Sequence, residues 1–235
     1  GQVCDRLEEI SDVAKKYDII ILSDEIYSEL SFKKNYQSIS NYYPEKTIIS
    51  TGLSKWCGAG GWRLGYFIIP ERLDDLKNMI NVLASETFSA VSAPIQYAAI
   101  KAYDGDFSDY IFKSVNILKS VGKYVYENLK SNKVLINESQ GGFYLMPEFL
   151  NNKYKNSLEM CNDILNNTGV ALLPGSDFGF RTDKMLARLS FTDFDGQLFM
   201  DEIHDDQIIK YEEITKYAPK IVEGVDKLKK WSESL

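Results

Sequence analysis

A chain of 235 residues with 44% hydrophobic and 13% aromatic residues has enough apolar material for one large domain, or a domain and a half, around a packed core. Its formal net charge of −7, with no stripe of basic residues, argues against nucleic acid or an anionic membrane surface as the main partner. The three cysteines, Cys4, Cys57 and Cys161, lie far apart without paired spacing, which fits a reducing cytosol better than a disulfide framework or a zinc site.

Residues 5–17 read as an amphipathic helix, with Leu7, Ile10, Val13, Ala14 and Tyr17 at helical spacing and Asp5 with Glu8 in the form of a capping box. The same stretch carries Asp5, Glu8, Glu9 and Asp12, where a secretory leader would be basic and then apolar. The runs 18–23, 47–50 and 66–69 are short and continuously apolar, as strands covered on both faces are. Helix followed by buried strands is the pattern of an α/β sheet. Residues 71–84 and 92–103 read as helices, and 107–130 as one long helix with Tyr110, Ile111, Val115, Leu118, Val121, Val125 and Leu129 on a broad face. Beyond it, short strands are expected at 134–136, 143–146, 170–173 and 186–191, with a helix near 156–167, giving a smaller α+β domain. Residues 195–213 are rich in acids and read as a solvated loop containing the single histidine, His204. A last helix starts near Pro219 and runs to about 233. No apolar run reaches the ~18–20 residues that a bilayer span needs.

Three stretches hold residues that could carry chemistry. Ser54-Lys55 follows an apolar strand and enters a turn with Gly58, Gly60 and Gly61, ahead of Arg63. An ammonium is costly to bury unpaired, and condensation with an aldehyde removes that cost, so a Schiff-base role suits Lys55. Glycines admit close backbone approach to a ligand, and the planar fork of Arg63 suits a phosphate. The bland alternative is a surface lysine beside a structural arginine. Asp24 and Tyr27 stand at the end of the first strand, where α/β sheets place ligands; Asp24 could equally be a helix cap. Arg188 sits inside the apolar strand 186–191 and needs a partner, either a substrate carboxylate or an internal ion pair.

In this order, Asp24-Glu-Ile-Tyr27, Ser54-Lys55 with Gly61-Trp-Arg63-Leu-Gly-Tyr66, and Arg188-Leu-Ser-Phe191 resemble three motifs of the class I/II (fold type I) pyridoxal 5′-phosphate (PLP) aminotransferases. Leu173-Pro-Gly-Ser-Asp-Phe-Gly179 and Gly141-Gly-Phe-Tyr-Leu-Met146 resemble two more stretches, from the smaller domain of those enzymes. The resemblance implies an α/β fold in which residues 1–106 are the C-terminal part of the large cofactor domain, mostly parallel in its sheet. Residues 107–130 are then the connecting helix and 131–235 the small domain. It implies that Lys55 binds PLP covalently and moves a proton at the substrate's Cα. Asp24 keeps the ring nitrogen protonated, Tyr27 bonds the ring's phenolic oxygen, Arg63 with Ser54 holds the phosphate, and Arg188 holds the α-carboxylate. Amino acid and 2-oxo acid substrates follow, as does a homodimer for the intact, cytoplasmic protein.

In the family an Asn-Pro-x-Gly stretch precedes the first helix, and Gly1 resembles its last residue. The preceding half, which supplies the ring-stacking aromatic and the phosphate loop, is expected to be missing, leaving a truncated chain with an incomplete site. Carbon–sulfur lyases and cyclopropane-forming synthases share the scaffold, so lyase chemistry stands as an alternative, and a non-catalytic fragment as another. With one histidine, a His-based zinc site lacks its second ligand. Cys57, Trp62 and Tyr66 read as packing residues.

Overall fold

The computed structural model describes residues 5–33, 36–88, 90–151, 153–203 and 208–235; Gly1, Cys4 and His204 lie outside these. The chain divides into two compact units, one running to Ile111 and the other beginning at Phe112. The division falls within the long helix expected at 107–130. Among the described residues no helix is long and apolar enough to cross a membrane.

The first unit contains helix α1 (Leu7–Lys16), strands β1 (Ile21–Asp24), β2 (Thr47–Gly52) and β3 (Gly65–Ile68), helices α2 (Asp74–Thr87) and α3 (Ala93–Asp104), and the start of α4 (Ser108–Leu129). The sheet has the order β1-β2-β3, with β1 parallel to β2 and β3 antiparallel to it. This chain's part of the large domain's sheet thus holds one parallel and one antiparallel pair. The capping box expected at Asp5 is absent: Arg6 is the N-cap without a side-chain bond, and Asp5 instead accepts from Lys33 Nζ at 2.6 Å. An ion pair to a distant loop has displaced the local bond.

Apolar patterning in this unit is covered less than its sequence implies. Helix α1 buries Ser11 and Ala14, while Ile10, Val13 and Tyr17 of its apolar set are exposed. β1 alternates half-buried and exposed residues, and every residue of β3 is exposed, Phe67 and Ile68 included. The expectation of strands covered on both faces fails for β1 and β3, where of the four β3 residues Tyr66 meets the ring of Tyr103 and stays exposed all the same. The buried part is small and local, formed by Leu30, Ile39, Tyr43, Ile48, Leu53, Trp56 and Leu64.

The second unit holds the rest of α4, strands β4 (Val134–Leu135), β5 (Tyr144–Leu145) and β6 (Glu148–Phe149), helix α5 (Ser157–Thr168), strands β7 (Leu173–Pro174) and β8 (Ala187–Ser190), and helices α6 (Gly196–Glu202), α7 (Tyr211–Tyr217) and α8 (Pro219–Glu233). Its sheets are β4-β6 and β5-β8-β7, all pairs antiparallel. Here the amphipathic patterns close on one another. Ile117, Val121, Val125 and Leu129 of α4 share a core with Phe149, Met160, Ile164, Leu189, Phe191 and Leu228. Glycine sets one close contact in it: a Cβ on Gly122 would stand 2.9 Å from Phe191 Cζ.

The described residues of the acidic stretch 195–213 do not form a solvated loop. Asp195 caps α6 by accepting from the Leu198 amide at 3.0 Å, and Phe199, Ile203, Ile209 and Ile214 are buried. Asp201, Glu202 and Glu212 are exposed while these apolar residues enter the core, a pattern that the charge content obscured.

Candidate active site

Strand order brings four of the candidate residues to one end of the first sheet. Asp24 ends β1, Gly52 ends the parallel neighbour β2, and the ladder continues one step further as the Glu25 amide donates to Ser50 O at 2.8 Å. β3 runs back from that end with Gly65 opposite Gly52. Ser54 and Lys55, just past β2, and Arg63, just ahead of β3, therefore share the edge where Asp24 lies. Gly52 makes this closure possible, since a Cβ there would stand 2.6 Å from Leu64 O and 2.9 Å from Gly65 Cα.

The segment between β2 and β3 is folded on itself. Gly58 (φ 66°) donates to Lys55 O at 3.3 Å, and the Ala59 amide to Leu53 O at 3.2 Å. Trp56, buried beside Lys55, meets Tyr103 edge-on at 6.0 Å between centroids and anchors the turn. Lys55 is half-buried, with Nζ 5.5 Å from the ring centroid of Tyr27, within reach of a cation–π contact. Ser54 is half-buried as well. Asp24 is exposed and accepts from the Ile26 amide at 3.3 Å, a local side-chain turn rather than a helix cap. Arg63 is exposed and takes a left-handed backbone (φ 56°), a costly position for a non-glycine residue. It donates from Nη1 to Gly60 O at 2.6 Å, so its fork is tied into its own turn.

Sequence reading passed over Glu25. This buried carboxylate accepts from Ser23 Oγ at 3.1 Å and Ser38 Oγ at 2.6 Å. Burial, with the Glu25 charge beside it, pushes the Tyr36 phenol up to about 12. Glu25 thereby pins the turn that separates Asp24 from Tyr27; its position between two polar candidates was the one signal available. Beyond it a pocket is lined by Glu25, Trp56, Tyr66, Tyr103 and Phe107. Tyr66 does pack on Tyr103, at 5.4 Å edge to face, whereas Trp62 is exposed and does not serve as a packing residue. Cys57 is half-buried, and burial raises its thiol pKa, which disfavours a nucleophilic thiolate.

Arg188 belongs to the second unit. β8 buries Ala187, Leu189 and the following Phe191, while Arg188 and Ser190 take the opposite face. The apolar run therefore does not surround the arginine. No carboxylate among the described residues pairs with it. The guanidinium carbon instead lies over the rings of Tyr144 and Phe178, 4.4 Å from each centroid. Among the described residues no group of three or more His, Cys, Asp or Glu side chains is placed to hold a metal ion.

Comparison with known proteins decides the family. Residues 3–197 match the family described as aminotransferase class I and II. The chain belongs to it. A probable N-acetyl-LL-diaminopimelate aminotransferase of Bacillus subtilis is 32% identical over 187 residues, covering 80% of this chain and 46% of the relative. An aspartate aminotransferase of Sulfolobus acidocaldarius is 30% identical over 199 residues, covering 81% and 48%. The solved alanine aminotransferase of Pyrococcus furiosus superposes with a TM-score of 0.75 at 28% identity, covering 97% of this chain and 53% of that one. The fold is thus that of the fold type I aminotransferases, and the chain spans about half the length of the curated relatives it matches.

Proposed function

We propose that the protein moves an amino group between an amino acid and a 2-oxo acid, with pyridoxal 5′-phosphate held on Lys55. The observation that carries this reading is the gathering of Asp24, Ser54, Lys55 and Arg63 at one sheet end, with Tyr27 against the lysine. The residue set fits the group. A half-buried amine suits an aldehyde, a carboxylate on the neighbouring strand suits a cationic ring nitrogen, and a tyrosine ring near that amine suits the ring's phenolic oxygen.

The cofactor, when bound, supplies an electron sink for the bond broken at the amino acid's Cα. Lys55 would hold the aldehyde carbon, and its amine would carry the substrate's Cα proton. Asp24 would hold the ring nitrogen and favour its proton, since opposite charges at close range stabilise each other. Tyr27 would donate to the phenolic oxygen. Arg63 would hold the phosphate through the N–H groups not committed to Gly60 O, with Ser54 adding a hydroxyl. Arg188 grips the α-carboxylate with two parallel hydrogen bonds. The same reading includes a homodimer in the cytoplasm for the intact protein, the compartment supported by cysteines without paired spacing.

Borohydride reduction after incubation with pyridoxal 5′-phosphate tests this directly. Peptide mass mapping is expected to find the pyridoxyl adduct concentrated on Lys55, and Lys55→Ala to abolish both that adduct and amino transfer from a panel of amino donors to 2-oxoglutarate. An adduct spread evenly over surface lysines, unchanged by Lys55→Ala, overturns the proposal.

A further inference from the structure

We infer that Tyr144 and Phe178 are positioning residues for Arg188, their rings holding the guanidinium so that its hydrogen-bonding edge meets a substrate carboxylate. The inference rests on the reading that Arg188 takes that carboxylate, and it gives a physical role to two sequence stretches that carry none so far.

The backbone delivers both rings to the same face of one sheet. In the β5-β8 ladder Tyr144 lies opposite Ser190, so Arg188, two residues along, is its diagonal neighbour on the same face. Aromatic side chains reach across such diagonals. On the other side of β8, Leu173 of β7 is the direct partner of Arg188. The chain then makes a 3-10 turn over Gly175–Phe178, closed by Gly179 at φ 80°. Gly175 donates to Leu186 O at 2.8 Å, and a Cβ on it would stand 2.7 Å from Leu186 Cβ. Only glycine allows the turn to press this closely on the chain leading into β8, and the turn ends by placing Phe178 over Arg188. The Gly-Gly-Phe-Tyr and Leu-Pro-Gly-Ser-Asp-Phe-Gly stretches thus meet at a single guanidinium.

The chemistry follows from the shape of that group. Its five N–H donors lie in its plane, and aromatic faces attract its surface while offering no competing acceptor. At 4.4 Å from both centroids the group is in stacking contact with each ring. Two consequences favour a planar anion arriving edge-on. The arginine has fewer conformations left to give up on binding, and the rings exclude water from its surface, which strengthens the charge pairing. Among the described residues no internal carboxylate takes up that edge.

The test is NMR of the protein labelled with ¹⁵N-arginine, with the Arg188 signals assigned by their loss in Arg188→Lys. Two quantities are read: the rate at which the two Nη groups interchange by rotation about Nε–Cζ, without ligand, and the dissociation constant for pyruvate from the Arg188 Nε shift. Phe178→Leu and Tyr144→Leu are each expected to speed the interchange several-fold and weaken pyruvate by about three- to ten-fold. Phe178→Tyr and Tyr144→Phe, which keep the ring, are expected to retain both values; this rescue separates a ring contact from general damage to the fold. If pyruvate shifts Arg188 but the leucine variants match the parent in rate and affinity, the positioning role is overturned and the carboxylate site stands. If pyruvate leaves the parent's Arg188 signals unmoved, the carboxylate role fails, and this inference fails with it.

Discussion

Asp163 shows how one charged residue can join three parts of the second unit. Its Oδ2 accepts from Tyr154 Oη at 2.7 Å and from Trp231 Nε1 at 2.9 Å, tying α5 to α8 and to the segment ahead of α5. The two donors stack, ring on ring, at 6.0 Å. Both hydrogen bonds favour the ionised carboxyl, and the Tyr154 bond, then the Trp231 bond, holds its pKa below the ordinary carboxylate value. A group depressed in the folded state contributes stability above its unfolded pKa and loses it as pH falls through the folded one. The contribution of Asp163 is therefore complete at neutral pH and fades only below about pH 4. Asp163→Asn keeps an acceptor but not the charge. It is expected to cost about 1 kcal/mol at pH 7 and much less near pH 2, measured by urea unfolding at both values. An equal loss at both pH values would show that charge is not what matters there.

At the scale of elements, helices α2 and α8 have similar lengths and opposite settings. α8 buries Ile221, Val225, Leu228 and Trp231, while α2 has no buried residue. A helix without a buried face relies on its own hydrogen bonds, and those open at little cost. Native-state hydrogen exchange is expected to be at least about 100-fold faster in the middle of α2 than in α8, equivalent to about 3 kcal/mol of opening free energy. Equal protection would mean that α2 is held by contacts its exposure does not reveal. Legibility in the sequence follows the same division. The long helices repeat their apolar spacing over several turns, so α4 and α8 are readable to within a residue or two. Strands of two residues, such as β6, have no room to repeat a period, and β6 is not foreseen. The polar candidates at the strand ends stand out because lysine, aspartate and arginine are unusual beside apolar runs. Tyr144 and Phe178 do not, because nothing local in an aromatic residue says that its ring will meet an arginine on another strand.

For the molecule as a whole, patterning says which residues are apolar but not which of them another element will reach. On α2, Met79, Val82 and Leu83 lie at helical spacing on one face and are 69%, 66% and 62% exposed. Phe88, just past the helix, is exposed too. Clustered apolar exposure of this kind promotes association in water. The chain is therefore expected to self-associate with rising concentration in sedimentation velocity, and Val82→Lys with Leu83→Lys to suppress this. Neither residue is packed, so unfolding stability is expected to change by no more than about 0.5 kcal/mol. Charge and apolar area act in opposite directions in this experiment. Two added lysines bring the net charge of −7 closer to zero, which by itself weakens repulsion between copies. A double variant that associates less despite the smaller charge must do so through lost apolar area. A variant that associates as strongly as the parent places the contact on another surface and removes this face of α2 from consideration.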